Sequence, residues 1–346
     1  MDQMRKLLCL LLTAAVLCSL LLPVFAAEPE DVLPIAETTE ATDEETETTE
    51  ETTEPEATTE ETAEATEETE PEETYPPFSA PYTPYFGLLH SHTEVSSGKG
   101  TAAEAYAYAD EVAGLDFFAV TDTSHSFDDH LNAAIDKDGS HSQDWAAGIA
   151  AAEAATKEDF AAIFGYEMSW LEGRNLGHVI TFNTPGFQSS GQEPYKEGSG
   201  ALREYYKTLT KVPQSLSIFC HPGSYYGNFR TFKDHKAAYD NQIHLLEVTD
   251  EMGPAWDQYD LALNAGWHVA PSASQNNHYD DWGTVNDDRT VILAEKLTRE
   301  SLFDAIRSHR VYATRDRDLH LYYTLNGEVM GSTLSPVEDP VISLTV

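Results

Sequence analysis

Two histidines placed two residues apart, at the end of an apolar run, are the first sign of chemistry in this sequence. His90 and His92 follow the apolar residues 86–89. Side chains at positions i and i+2 of a strand point to the same face, so a strand that ends here projects both imidazoles from its C-terminal tip. Neutral imidazole is a common ligand of transition metals. The spacing predicts half of a metal site, with a hydrogen-bonded histidine pair in a surface loop as the alternative.

The rest of the chain from residue 86 alternates apolar runs with helical patterns. Strands are predicted at residues 86–89, 116–121, 161–166, 178–182, 215–220, 243–248, 269–272 and 290–294. Helices are predicted between and after them, at residues 101–113, 142–156, 201–209, 255–265 and 298–309. Alternation of this length predicts an α/β fold with a parallel sheet or barrel.

Polar residues able to bind a metal or move a proton follow several of these strands. The C-terminal ends of parallel strands meet on one face of a barrel. We therefore expect six residues that are distant in the sequence to lie together: His90, His92, Asp122, Glu167, His221 and His278. Glu167 points most directly to a cation, because burying an unpaired carboxylate is costly.

Other polar residues are assigned supporting or structural roles. Asp122 is expected to orient a histidine rather than to bind a metal directly, and Glu247 is expected to form a salt bridge at a strand end. Arg174 and Arg289 are the candidates for gripping an anion. Ordinary surface or packing roles are expected for His235, His244, His268, His309 and His320.

The N-terminal part of the chain is predicted to be a targeting segment and a tether. Residues 1–26 combine two basic residues, an apolar stretch and small residues before Ala27, which predicts a secretory signal peptide, with an uncleaved membrane anchor as the alternative. Residues 27–74 are rich in Thr and Glu and contain no Lys or Arg. Such a segment buries too little apolar surface to fold, so we predict a disordered acidic linker. The protein is expected to be secreted or held at the cell surface, with envelope association as one option.

Charge and cysteine content restrict the partners. The formal net charge is −40 at pH 7, which disfavours nucleic acid and anionic membrane as partners. A small anionic substrate stays compatible with this charge, because a bound metal ion supplies local positive charge. Removal of residues 1–26 would leave Cys220 as the single cysteine, so no intramolecular disulfide is expected.

The main domain is expected over residues 75–314, and the pattern changes after it. Residues 319–325 alternate apolar and polar side chains, and Asn326-Gly327 is a hairpin signal. Residues 315–346 are therefore predicted to begin an appended β module, with an edge hairpin on the main domain as the alternative.

The motifs, taken together, resemble those of the PHP superfamily, which is named for its polymerase and histidinol-phosphatase members. They are, in order, His-Ser-His-Thr at 90–93, Ala-Val-Thr-Asp at 119–122, Glu167, Gly177-His178, His221-Pro222 and Asn276-Asn277-His278. Gly177-His178-Val179 and the closing segment 298–314 are similar to the secreted, carbamate-hydrolase-like branch. The resemblance implies a distorted (β/α)7 TIM-like barrel of PHP type with a metal cluster at the strand ends.

The resemblance also implies a ligand set. His90 and His92 would bind one divalent metal ion, Glu167 would bridge to a second, and His178 and His221 would complete the second site. Imidazole and carboxylate suit Zn, Mn or Fe. Asn276 takes the place of an acidic ligand of the first metal.

Three positions depart from the family pattern. Thr123 takes the place of a histidine, Ser97 lies where the family has an acidic or histidine ligand, and Asn276 is neutral. The third metal site of the family is therefore predicted to be lost. An alternative is that His125 substitutes for the missing histidine.

The predicted activity is that of a metal-dependent hydrolase. Water held between two metal ions would attack a phosphoester, with carbamate, ester or amide bonds as the alternative. Asp122 or His278 would carry protons or support the ligands. A degenerate barrel that acts as a binding protein at the cell surface is the rival hypothesis, and an adhesion or scaffold role is a third.

Overall fold

The computed structural model describes residues 80–170, 176–196, 200–250, 253–336 and 338–346. The predicted signal peptide and acidic linker lie outside the described residues. The strands are β1 (Thr83–Leu88), β2 (Phe117–Val120), β3 (Ala161–Met168), β4 (His178–Phe182), β5 (Leu216–Cys220), β6 (Ile243–Asp250), β7 (Gly253–Pro254), β8 (Ala270–Ala273), β9 (Arg289–Ala294), β10 (Val311–Thr314), β11 (Tyr322–Leu325), β12 (Glu328–Val329) and β13 (Ile342–Thr345). The helices are α1 (Ala102–Glu111), α2 (Gln143–Ala155), α3 (Ala201–Leu209), α4 (Ala237–Asp240), α5 (Trp256–Asn264) and α6 (Arg299–Arg307). Within these ranges no helix is long and apolar enough to cross a membrane.

Side-chain caps explain where three of the helices begin. At the start of α1, the Thr101 hydroxyl accepts from the backbone N–H of Glu104, and the Glu104 carboxylate accepts from the backbone N–H of Thr101. Ser142 caps α2, and Thr298 caps α6. These caps give partners to N–H groups that have none within the helix.

Ten strands form one sheet that curls into a distorted barrel, as the sequence predicts. The order is β10-β9-β1-β2-β3-β4-β5-β6-β7, and β8 pairs with β6. β1, β2 and β3 are parallel, as are β5, β6 and β8. β8 and β9 meet through one side chain: the Thr290 hydroxyl donates to Ala273 O at 2.8 Å and accepts from Ala273 N at 2.9 Å. This contact brings the two sides of the sheet together.

The barrel is not wholly parallel, and this corrects the prediction from sequence. β4 runs antiparallel to β3 and β5, and β9 runs antiparallel to β1 and β10. The reversal of β4 places its first residue at the end of the barrel where β3 and β5 finish, and His178 pairs with Cys220. Side chains alternate in the same way along a strand of either direction, so the apolar pattern does not reveal the reversal.

Side chains of the strands alternate between the inside and the outside of the barrel. Phe117 and Ala119 join an inner apolar cluster, whereas Phe118 and Val120 join an outer cluster that includes residues of α1 and α2. Helix α6 also belongs to the inner cluster and contacts β3, β5, β6 and β9. It therefore closes the end of the barrel at which β5 begins, which leaves the opposite end for the predicted metal ligands.

Gly87 lies where β1 and β2 approach closely. A Cβ atom at this position would lie 2.1 Å from the carbonyl oxygen of Phe117. We expect Gly87→Ala to lower the free energy of unfolding by about 1–3 kcal/mol, the usual cost of overpacking a core. Gly200→Ala is the matched control, because a Cβ there would meet no atom of the described residues within 4 Å. Urea unfolding measures both variants, and equal losses of stability would contradict the prediction.

Strands β11, β12 and β13 form a separate antiparallel sheet. Its predicted turn is present, because Asn326 and Gly327 have φ values of 54° and 86°, the positive values that a type I′ turn requires. Met330 of this region packs against Val291 and Leu293 of β9. The assignment of residues 315–346 to an appended module stays a prediction.

Candidate metal centre

Five predicted metal ligands meet at the open end of the barrel. They come from the ends of neighbouring strands: His90 and His92 follow β1, Glu167 is near the end of β3, His178 begins β4, and His221 follows β5. All are buried except His178, which is partly exposed. The antiparallel direction of β4 is what brings His178 to the same end as the others.

The five side chains form two groups of three that share the Glu167 carboxylate. In the first group, Nε2 of His90 lies 3.2 Å from Nε2 of His92 and 3.8 Å from Oε1 of Glu167. Nε2 of His92 lies 4.0 Å from Oε2 of Glu167. In the second group, Oε1 of Glu167 lies 2.9 Å from Nδ1 of His178 and 3.2 Å from Nε2 of His221.

These separations fit the ligand shell of a metal ion. Two ligands bound about 2.1 Å from one ion in tetrahedral geometry are about 3.4 Å apart. The five separations given above run from 2.9 to 4.0 Å. The donor atoms are imidazole nitrogens and carboxylate oxygens, which suit Zn, Mn or Fe. The residues present therefore fit divalent metal binding at two groups that share Glu167.

Burial also gives the ligands the protonation state that metals need. It lowers the pKa of His92 well below its usual value, against the attraction of Glu167, and it lowers the pKa of His221 in the same direction. Burial alone would raise the pKa of Glu167, but His178 and His221 outweigh it and hold that pKa well below its usual range. Metal ligands must be neutral imidazoles and ionised carboxylates, so the site is poised for binding.

Glu247 is a site residue whose role the sequence analysis missed. Its carboxylate is buried, and Oε1 lies 2.9 Å from Nδ1 of His90 while Oε2 accepts from the backbone N–H of His221 at 2.8 Å. An ionised carboxylate only accepts hydrogen bonds, so Nδ1 of His90 carries the proton and Nε2 is the nitrogen that can bind a metal. The strand-end acid thus pairs with a ligand of one group and accepts a hydrogen bond from the backbone of the other.

Asp122 supports a ligand, as expected, and does not face the metal groups directly. Its Oδ1 accepts from the Ser96 hydroxyl, and Ser96 Oγ lies 3.1 Å from Nδ1 of His92. Oδ1 and Oδ2 also accept from the backbone N–H and the hydroxyl of Thr93, at 2.8 and 2.6 Å. Burial raises the pKa of Asp122, against these hydrogen bonds. Asp122 therefore fixes the loop that carries His92.

A cavity of about 280 Å³ opens over the two groups. His278 lines this cavity and stacks on His92, with 4.2 Å between the ring centroids. Nδ1 of His278 lies 3.0 Å from the Ser97 hydroxyl. Asn276 is buried and also lines the cavity. The two predicted positions are therefore beside the first group, and their roles stay predictions.

The residues that depart from the family pattern bond to each other or to neighbours. The Thr123 hydroxyl lies 2.8 Å from the Ser126 hydroxyl, and both line the cavity. His125 lines the same cavity, with Nδ1 3.5 Å from the Ser190 hydroxyl. Among the described residues, neither His125 nor His278 belongs to a Glu167 group or to the one other candidate group, which is formed by His90, Cys220 and Glu247. The loss of a third site stays a prediction.

Arg289 does not grip an anion, and this corrects the expectation from sequence. The side chain is buried, and its guanidinium donates to the carbonyl oxygens of Asn286, Asp288 and Gly283 at 3.3, 2.7 and 3.0 Å. Three of its five N–H donors are used by the loop before β9. Arg174 lies outside the described residues, and none of the described residues that line the cavity is Lys or Arg.

The fold and the site define a curled α/β barrel with a two-group His/Glu centre at one end. No protein-family model matches the chain, and no curated protein does. Solved structures are similar to it. One is a two-domain protein from Bacteroides vulgatus with a predicted PHP-like metal-dependent phosphoesterase, at 16% identity and a TM-score of 0.48, covering 70% of this chain and 68% of that one.

Two further similar structures come from other organisms. A lesion-specific endonuclease, Endonuclease Q from Pyrococcus furiosus, is 13% identical with a TM-score of 0.41, covering 67% of this chain and 58% of that one. An amidohydrolase from Chromobacterium violaceum is 15% identical with a TM-score of 0.38, covering 66% of this chain and 97% of that one. None of these likenesses confirms the carbamate-hydrolase-like branch. Function is therefore inferred from the site itself.

Proposed function

We propose that the protein is a PHP-type metal-dependent hydrolase with a dinuclear centre, and that its first substrate class is a phosphoester. The observation that carries the proposal is the shared Glu167 carboxylate, which joins two three-residue ligand groups at the open end of the barrel. A carboxylate buried among four imidazoles is costly unless positive charge compensates it, and a pair of metal ions would supply that charge.

The chain's own residues hold and orient the centre. Bound ions would supply an activated water and would polarise the bond that is cleaved. Glu247 fixes the tautomer of His90, and Asp122 fixes His92 through Ser96. His278 is the better placed of the two proposed proton carriers, because it lines the cavity.

The cavity favours a small substrate group. Its volume of about 280 Å³ suits a phosphoryl, carbamoyl or acyl group with part of its leaving group. None of the described residues that line it is Lys or Arg, so the ions would have to neutralise an anionic substrate. Carbamate, ester and amide bonds form the second substrate class. Nucleic acid is disfavoured by the net charge of −40.

Metal analysis and a substrate panel test the proposal. We expect the full chain to purify with Zn, Mn or Fe, or to bind them on addition, at up to two ions per chain. We expect chelation to abolish hydrolysis of a generic phosphodiester or phosphomonoester, and added metal to restore it. Ester, carbamate and single-stranded DNA substrates complete the panel. A chain that stays folded and binds neither Mn nor Zn would contradict the proposal.

A metal-poor binding protein is the second candidate, and Asn276 favours it. A neutral amide lies beside the first ligand group where an anionic ligand would strengthen it. If the site has decayed, Asn276→Asp should raise metal affinity and turnover by about tenfold or more, the size of effect that outer ligands have. Isothermal titration with Mn or Zn measures the affinity. No gain, together with turnover by the unaltered chain, would favour a working native site.

Secretion and retention at the envelope are also proposals. The support is the pattern of residues 1–26 and the acidic, Thr-rich composition of residues 27–74. We expect the mature protein to begin at Ala27. The intact mass of the protein recovered from its native host measures this, and a mass that retains residues 1–26 would contradict cleavage.

A further inference from the structure

A second cleft lies next to the metal cavity and shares His221 with it. It has a volume of about 310 Å³ and lies between the loop after β5 and the start of α5. His221 and Tyr226 line both this cleft and the metal cavity. A group bound in the cleft would therefore lie directly beside a bond held at the metal centre.

The loop that forms one wall is fixed by its backbone. Gly223 and Gly227 exchange two hydrogen bonds, at 2.9 and 3.0 Å, which closes the loop around Ser224, Tyr225 and Tyr226. The N–H of Gly177 donates to the carbonyl of Tyr226 at 3.2 Å, which ties the loop to the segment before β4. A loop held in this way presents its side chains in one arrangement, as binding sites on rigid scaffolds do.

Two tyrosine rings on this loop form a stacking surface. The centroid of the Tyr226 ring lies 4.0 Å from that of the His221 ring. The Tyr225 ring stands nearly perpendicular to the Tyr226 ring, at 82°, with 4.7 Å between their centroids. Tyr225 is 76% exposed although it lines a cleft. Stacking of a planar or sugar ring on an exposed aromatic face of this kind lowers the free energy of the complex.

The opposite wall offers hydrogen-bond acceptors. Nε2 of Gln258 donates to the Asp257 carboxylate at 2.9 Å, which turns Oε1 of Gln258 away from that pair. Oε1 is shielded from solvent, so the exposed Asp257 carboxylate is the acceptor that a group in the cleft can reach. None of the described residues lining the cleft is Lys or Arg, and Asp257 repels anions. The cleft therefore suits a neutral group that donates hydrogen bonds.

We infer that this cleft is a leaving-group subsite for a neutral ring that carries O–H or N–H donors, stacked on Tyr225 and bonded to Asp257. The inference rests on the proposed hydrolase function, because the cleft adjoins the centre through His221. A nucleobase and a sugar share the required chemistry. The proposed substrate class is then an ester of a nucleoside or of a sugar, with the charged group at the metals and the ring in the cleft.

Direct binding of two uncharged probes tests the subsite. We would titrate the full chain, as purified, with adenosine and separately with methyl β-D-glucopyranoside, and follow binding by saturation-transfer NMR. We expect one of the probes to bind, and Tyr225→Ala to weaken it by about tenfold, since stacking on one aromatic ring contributes a factor of that order. Asp257→Asn should also weaken it, because it replaces one acceptor oxygen of the cleft by a donor group. Tyr323→Ala, on the C-terminal sheet and 38% exposed, is the matched control.

The outcomes separate the subsite from the hydrolase. Binding of adenosine alone would identify a heterocyclic leaving group, and binding of the glucoside alone would identify a sugar. Failure of both probes to bind, or equal affinities for the Tyr225→Ala and Tyr323→Ala proteins, would overturn the inference. Neither probe contains a bond to be cleaved, so such a failure leaves the metal and hydrolysis assays to decide the proposed function by themselves.

Discussion

Glu167→Gln is expected to abolish metal binding in both ligand groups at once. The carboxylate is the one residue that the two groups share, and a neutral amide cannot bridge two cations. Loss of metal-assisted water activation should lower the hydrolysis rate by about 10²- to 10⁴-fold. Inductively coupled plasma mass spectrometry measures the metal content, and initial rates on the active substrate of the panel measure turnover.

The matched control is Glu153→Gln, an exposed glutamate on α2 that should change neither quantity. Single replacement of His90 or of His178 sharpens the test, because each belongs to only one of the two Glu167 groups. Each should remove about one ion and leave the other. Retention of both ions by the Glu167→Gln protein would contradict the bridging role.

Glu247→Gln is expected to weaken metal binding by about 10- to 100-fold, the usual cost of losing an outer partner of a metal-bound histidine. Glu247 accepts two hydrogen bonds, one from Nδ1 of His90 and one from the backbone of His221. Glutamine has one acceptor oxygen and one donor group. If the amide NH2 faces His221, it meets the backbone N–H, another donor. If it faces His90, the imidazole must move its proton to Nε2, which removes that nitrogen as a metal ligand.

Competition with a chromophoric chelator measures the affinity of the Glu247→Gln protein for Zn or Mn. Glu295→Gln serves as the control, since Glu295 is an exposed residue just after β9. Thermal unfolding in excess chelator checks that the fold is kept. Unchanged metal affinity would show that Glu247 is a structural acid only.

The direction of β4 shows where sequence reasoning stops. The apolar pattern predicted this strand with its observed bounds, and the family resemblance assigned His178 to the metal centre. The apolar pattern alone would have placed His178 at the wrong end of a parallel strand. Only pairing shows that β4 is reversed, because antiparallel and parallel strands share the same alternation of side chains.

The role of Glu247 was hidden for a related reason. An acid within an apolar strand signals a partner, but the partners are His90 and the backbone of His221, which lie far away in the sequence. By contrast, Glu167 could be predicted, because both the cost of burying it and the family motif pointed to a cation. Arg289 was misjudged because its partners are backbone carbonyls, which no residue pattern displays.

The turn at Asn326-Gly327 shows the opposite case, in which local chemistry is enough. Both residues have positive φ values, as the hairpin signal predicts. The helices predicted from residues 101 and 298 begin with side-chain caps at Thr101 and Thr298, and a cap depends only on residues three positions apart. Features set by neighbours in sequence could be predicted, and features set by strand pairing could not.

Anomalous diffraction at the Zn and Mn absorption edges tests the central claim most directly, because it locates each ion separately. Crystals grown with either metal should show two peaks about 3.5–4 Å apart. One peak should lie beside His90, His92 and Glu167, and the other beside Glu167, His178 and His221. The absence of both peaks, or peaks remote from the Glu167 carboxylate, would contradict the account.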